Sequence, residues 1–62
     1  MLKITFQTKR GGLYWAVCES LSYEPVGGCL LLDSVVEDSQ GDGPWGLMQT
    51  PPEWQLLQAE EV

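Results

Sequence analysis

Residues 50–62 read TPPEWQLLQAEEV, and whether they coil or extend separates a mixed fold from an all-β one. Thr50 fits an N-cap, and Pro51 fits the first helical position, where no N–H is missed. Glu53 follows three residues after Thr50 to close a capping box. The pattern predicts a helix over about 51–60. Trp54 and Leu57 fall on one face at i, i+3 with Leu56 adjacent, so this helix can lay an apolar stripe on a sheet. Glu60 and Glu61 lie at the negative end of its dipole and oppose its last turn by a few tenths of a kcal/mol each or more.

Upstream, the periodicity changes. Leu2, Ile4 and Phe6 alternate with Lys3, Thr5 and Gln7, the period-2 pattern of a half-buried strand over 2–8. Lys9-Arg10-Gly11-Gly12 supplies a glycine turn, and a second strand is predicted over Leu13–Glu19. Ser22 to Gly28 reads as the next turn, and Cys29–Glu37 as a third strand bounded by glycines and acids. Ser39–Gly46, with three glycines and a proline, is expected to be loop, with Trp45–Gln49 the place for a short fourth strand. These elements give an α+β fold, a small antiparallel sheet of three to four strands with one C-terminal helix packed on one face. The expected core is Trp54, Leu57, Trp15, Phe6, Ile4 and Leu32.

Sixty-two residues suit one complete domain, 1–62, which buries only about 60% of its unfolded surface. Three Trp, two Tyr and one Phe make the chain too apolar for a disordered acidic tail. Nine acids oppose three bases, Lys3, Lys9 and Arg10, for a net charge of −6. A phosphate binder needs a basic face, so direct nucleic-acid contact is disfavoured, and anionic membranes are disfavoured on the same ground. No apolar run reaches the ~18 residues of a membrane span. Nor does the alternating N-terminus resemble a signal peptide, so a cytoplasmic protein is expected. In that reducing compartment Cys18 and Cys29 are expected as free thiols.

Catalysis lacks its usual parts. The chain has no histidine, so general acid–base work would fall to a carboxylate or lysine of strongly shifted pKa. Cys18 and Cys29 read as small apolar core residues rather than nucleophiles. The adjacent acids Glu37-Asp38 and Glu60-Glu61 point to opposite faces of a strand, or lie about 100° apart on a helix, so neither is a dyad. Asp33 to Asp42 is acidic but lacks the alternating acids and closing Glu of a calcium loop. The expectation is a protein without catalytic residues, metal or cofactor.

Two uses of the surface stay open. The second and third strands carry apolar groups on both faces, and one short helix covers one face. An exposed sheet face could therefore serve a structural, assembly or antitoxin-like role. The other use is charge. A compact chain of this length has a radius of gyration of about 10.6 Å and spans roughly 27 Å. Over that length one DNA strand carries about eight phosphates. Glu24, Glu37, Asp38, Asp42, Glu60 and Glu61 along one edge would then form a partner-binding surface for a Lys/Arg-lined groove.

In length, acid excess and sheet-plus-helix order the chain resembles the small acidic inhibitors of phages and mobile elements, anti-CRISPR proteins of the nucleic-acid-mimic type in particular. The resemblance implies a protein partner with a basic surface, such as a CRISPR effector complex whose target-DNA binding it blocks. Locally, Ile4 to Leu21 (ITFQTKRGGLYWAVCESL) is similar to the opening hairpin of HicB-type antitoxins, although residues 22–49 depart from that family's continuation.

Overall fold

The computed structural model describes the whole of Met1–Val62 and contains strands only. These are β1 (Leu2–Gln7), β2 (Leu13–Cys18), β3 (Ser20–Glu24), β4 (Cys29–Val35), β5 (Glu37–Asp38), β6 (Trp45–Gln49) and β7 (Gln55–Glu61). One sheet has the order β5-β2-β1-β7 and the other β3-β4-β6, every neighbouring pair antiparallel. The expected α+β class is therefore corrected to all-β, and the C-terminal helix does not exist.

Its cap residue explains why. The Thr50 hydroxyl, expected to bond forward into a helix, instead bonds across to Leu30: Leu30 N donates to Oγ1 at 3.2 Å, and Oγ1 lies 3.1 Å from Leu30 O. Thr50 N also donates to Leu30 O at 2.9 Å, so this buried residue ends the β4–β6 ladder. The two prolines that suit a helix start suit a turn equally well, and Trp54 N closes that turn on Pro51 O at 3.1 Å. Six of the next seven residues then pair with the free side of β1, from Leu2–Glu61 to Gln7–Gln55. Pairing with a strand some fifty residues away also satisfies the backbone groups on the open side of β1, which a short helix ending in two opposed glutamates would leave unpaired.

Two sheets arise from one long, bent hairpin. β2 runs on through Glu19 into β3, and β4 runs through Val36 into β5. Val17 pairs with Glu37 and Ser20 with Asp33, so one arm uses an extra residue between those pairs. That residue is accommodated around Ser34, whose φ of 56° bends the strand as a bulge does. The bend lets each arm begin in one sheet and finish in the other, so the sheets face each other across one core.

Ile4, Phe6, Tyr14, Ala16, Cys18, Leu32 and Val35 form that core, with Leu2, Leu21, Leu30, Met48 and Trp54 packed against it. Trp54 leans on Phe6 and Tyr14 with ring centroids 5.9 and 5.1 Å apart. Of the expected core, Ile4, Phe6 and Leu32 are fully buried, while Trp15 is half-buried on the outer face. Leu57 is 47% exposed, because the β1–β7 register shifts between Thr5–Gln58 and Phe6–Leu56 and leaves it unpaired in a bulge. The molecule measures 24 × 23 × 20 Å with a radius of gyration of 10.6 Å. No helix is long and apolar enough to cross a membrane.

Candidate functional site

The acids separate into three environments. Asp38 is the exception among them. It pairs with Ala16, and like Ala16 it faces inward, only 7% exposed. Its carboxylate accepts from Tyr14 Oη at 2.7 Å and Trp45 Nε1 at 3.4 Å on Oδ2. On Oδ1 it accepts from Asp42 N at 2.9 Å and Gly43 N at 3.4 Å. These donors, the Tyr14 hydroxyl first, hold the carboxyl below the usual aspartate range against the opposing effect of burial. Burial and the Asp38 charge together push the Tyr14 hydroxyl well above the usual phenol range. Asp38 is thus an internal clamp that ties the 39–45 loop to β2. Every strong acceptor direction it has is in use, so it does not belong to a contact surface.

Glu24 lies at the far tip of the β3–β4 hairpin, where its Oε1 accepts from Val26 N at 2.8 Å and shapes the turn. Glu53 sits at the other extreme, beside Lys9 in a shallow polar depression that Gln7, Thr8, Gly11 and Gln55 complete. Neither is near the other acids.

The remaining acids meet where the hairpin bends. On the outer face of the larger sheet one row runs Glu37, Val17, Lys3, Glu60. At about 4.8 Å per strand, Glu37 and Glu60 stand roughly 14 Å apart. Glu19 is two residues beyond Val17, and its N–H donates to Asp33 O at 3.0 Å, which brings Asp33 alongside. Glu61 borders Leu2, and Asp42 lies next to Glu37, since the adjoining Gly43 packs on the Glu37 backbone.

This corner therefore holds Glu19, Asp33, Glu37, Glu60 and Glu61, flanked by Asp42. Of the six residues expected from the sequence, Glu37, Glu60 and Glu61 are in it and Asp42 flanks it, whereas Asp38 and Glu24 lie elsewhere. Glu19 and Asp33 were missed. Only the bend places them there, and no local pattern announces a bend.

Positive charge near the corner is scarce. The N-terminal ammonium meets Glu61 Oε1 at 3.3 Å, the one ion pair of the molecule. Lys3 spends its charge on the Trp15 ring, 4.8 Å from Nζ to the centroid. Lys9 and Arg10 occupy the β1–β2 turn, six or more residues along β1 from Lys3 and so about 20 Å away. That turn is closed by Thr8 N to Gly12 O at 2.8 Å, with Gly11 at a φ of 88°. Five acids gather at the bend around Lys3 and the terminal ammonium, while Lys9 and Arg10, with Glu53 near Lys9, lie at the opposite end.

The other chemistry is sparse. Cys18 and Cys29 are free, buried thiols. Burial raises the Cys18 thiol above its usual pKa, and Cys29 Sγ accepts from Gln49 Nε2 at 3.0 Å. No group of three or more potential metal ligands is assembled. Among the large exposed apolar side chains, Leu13 lies beside the β1–β2 turn, Val26 in the β3–β4 turn and Leu47 in β6, while Met1 and Val62 are neighbours at the end of the β1–β7 ladder. Comparison with protein-family models, curated proteins and solved structures finds no match for this chain.

Proposed function

We propose that this protein is an acidic binding inhibitor whose bend corner occupies a basic, nucleic-acid-binding surface of a partner protein. The observation that carries the reading is the gathering of Glu19, Asp33, Glu37, Glu60 and Glu61 at one end, away from Lys9 and Arg10. One DNA strand carries about four phosphates in the roughly 14 Å between Glu37 and Glu60. Five carboxylates offset by Lys3 and the terminal ammonium leave three net negative charges in the corner, the same order as those phosphates and of the sign that a Lys/Arg-lined groove accepts. Its carboxylates stand on a folded two-sheet scaffold, so docking needs no folding of the backbone and the ordering entropy falls on the exposed side chains. Charge of one sign also steers association toward a basic surface at low ionic strength.

The partner class proposed is a CRISPR effector complex, met in the cytoplasm of a bacterial host. The test immobilises this protein and measures capture of a purified effector–guide complex at low and high salt, alongside target-DNA binding by the captured complex. Capture that weakens steeply with salt and blocks DNA supports the reading. Salt-resistant capture with DNA binding intact would reassign the protein to apolar docking. No capture would remove the effector as partner.

A further inference from the structure

β7 is a sheet edge whose inner side pairs with β1 and whose outer side pairs with nothing. Two bonds fix which of its backbone groups are free. Val62 N donates to Met1 O at 2.9 Å, and Thr8 N donates to Gly12 O at 2.8 Å. Hydrogen-bonded and non-bonded pairs alternate along an antiparallel ladder. From the first bond, Lys3–Glu60 and Thr5–Gln58 are bonded pairs between β1 and β7. From the second, Leu2 and Ile4 direct their groups to β2, in agreement. On the C-terminal side of the bulge the N–H and C=O of Ala59 and Glu61 therefore point away from β1 into solvent.

Such an edge is a template for another strand, and its flanks select the occupant. Glu60 has Lys3 across from it on one side only, and the Lys3 ammonium is over Trp15 rather than paired with it. The free side of Glu60 and Glu61 is thus acidic and uncompensated apart from the terminal ammonium on Glu61. A second copy of the chain would bring another net charge of −6 to the same place. A strand bearing lysine or arginine there would gain cross-strand ion pairs as well as main-chain bonds. Toward the other end Leu56, 42% exposed at the rim of the core, offers an apolar contact. Of the other free edges, β6 carries no charged residue, β3 carries only Glu24 at the hairpin tip, and β5 is two residues long.

We propose that the free edge of β7 receives an extended segment of the basic partner as an added antiparallel strand, with lysine or arginine side chains beside Glu60 and Glu61. The proposal rests on the reading of the partner as basic and adds how that partner is held.

The test titrates isotope-labelled protein with an acetylated, amidated peptide, Lys-Arg-Val-Thr-Val-Thr-Val. A second peptide of equal charge carries N-methyl groups on its three central residues, which removes their donors. Strand addition predicts at least tenfold slower amide exchange at Ala59 and Glu61 with the first peptide, and at least tenfold weaker binding of the second. Equal, salt-sensitive binding of both, without protection of those amides, would overturn strand addition and leave the acidic-corner reading standing. No binding of either at low salt would sink both ideas, and protection at Leu47 and Gln49 instead would move the site to β6. On the protein side, Ala59→Pro removes one free donor without changing charge and is expected to lower affinity tenfold. If that variant fails to fold, the peptide pair on the unaltered protein still decides.

Discussion

Replacing Trp54 by alanine, and separately Leu57 by serine, distinguishes the extended C-terminal segment from the helix its sequence suggests. Trp54 packs on two core rings, Phe6 and Tyr14, at 5.9 and 5.1 Å between centroids. Truncating a fully buried Trp or Phe costs about 3–5 kcal/mol, and tilted aromatic pairs contribute about 0.5–1.5 kcal/mol each beyond their area. Trp54 is only partly buried, so about 3 kcal/mol is the expected loss. A 62-residue domain has about 3–9 kcal/mol in total at the usual stability per residue. At about 4–8 °C per kcal/mol for small domains, Tm falls by roughly 12–24 °C.

Leu57 lies exposed in the bulge, and its replacement by serine is expected to stay within about 0.5 kcal/mol. On a helix pressed against a sheet the two residues would share one buried face and both changes would be costly. Thermal unfolding followed by far-UV circular dichroism reads both variants. A Trp54→Ala loss below about 1 kcal/mol, or a Leu57→Ser loss equal to it, would refute the packing described for this segment.

Asp38 has a lowered native pKa, so its stabilisation is complete above the unfolded value of about 3.9 and is lost as pH falls through the lower native value. Asp38→Asn should therefore lower Tm at neutral pH and flatten its decline in acid, which a Tm-against-pH series measures. Ser34→Gly should raise stability by up to about 1 kcal/mol in urea unfolding, since a left-handed non-glycine residue costs about 1–2 kcal/mol and glycine entropy returns only part of that. Cys18 and Cys29 should stay unreactive toward a colorimetric disulfide reagent until denaturant is added, whereas fast reaction in the native protein would contradict their burial.

The sequence was legible where structure is local. Leu2, Ile4 and Phe6 alternate and do form the inward face of β1, and the Lys9–Gly12 turn joins β1 to β2. Thr50-Pro51-Pro52-Glu53 misled because its signal, a hydroxyl and a fixed φ before an acid, is shared by a helix start and a turn. The deciding partner was Leu30 on a distant strand. The acidic surface was legible in charge but not in place. Strand alternation sends Asp38 inward when Glu37 faces out, while the bend at Ser34 brings in Glu19 and Asp33 from outside any local pattern.

Reversing charge at two places separates a localised acidic site from general acidity. Glu37→Lys with Glu60→Lys changes the corner, and Glu24→Lys with Glu53→Lys changes net charge by the same amount away from it. Competition with target DNA for the effector–guide complex is measured for both pairs, after circular dichroism confirms that each is folded. The corner pair is expected to lose competition at least a hundredfold and the distant pair less than threefold. Equal losses, or a larger loss from Glu24 and Glu53, would contradict the assignment of the corner as the binding surface.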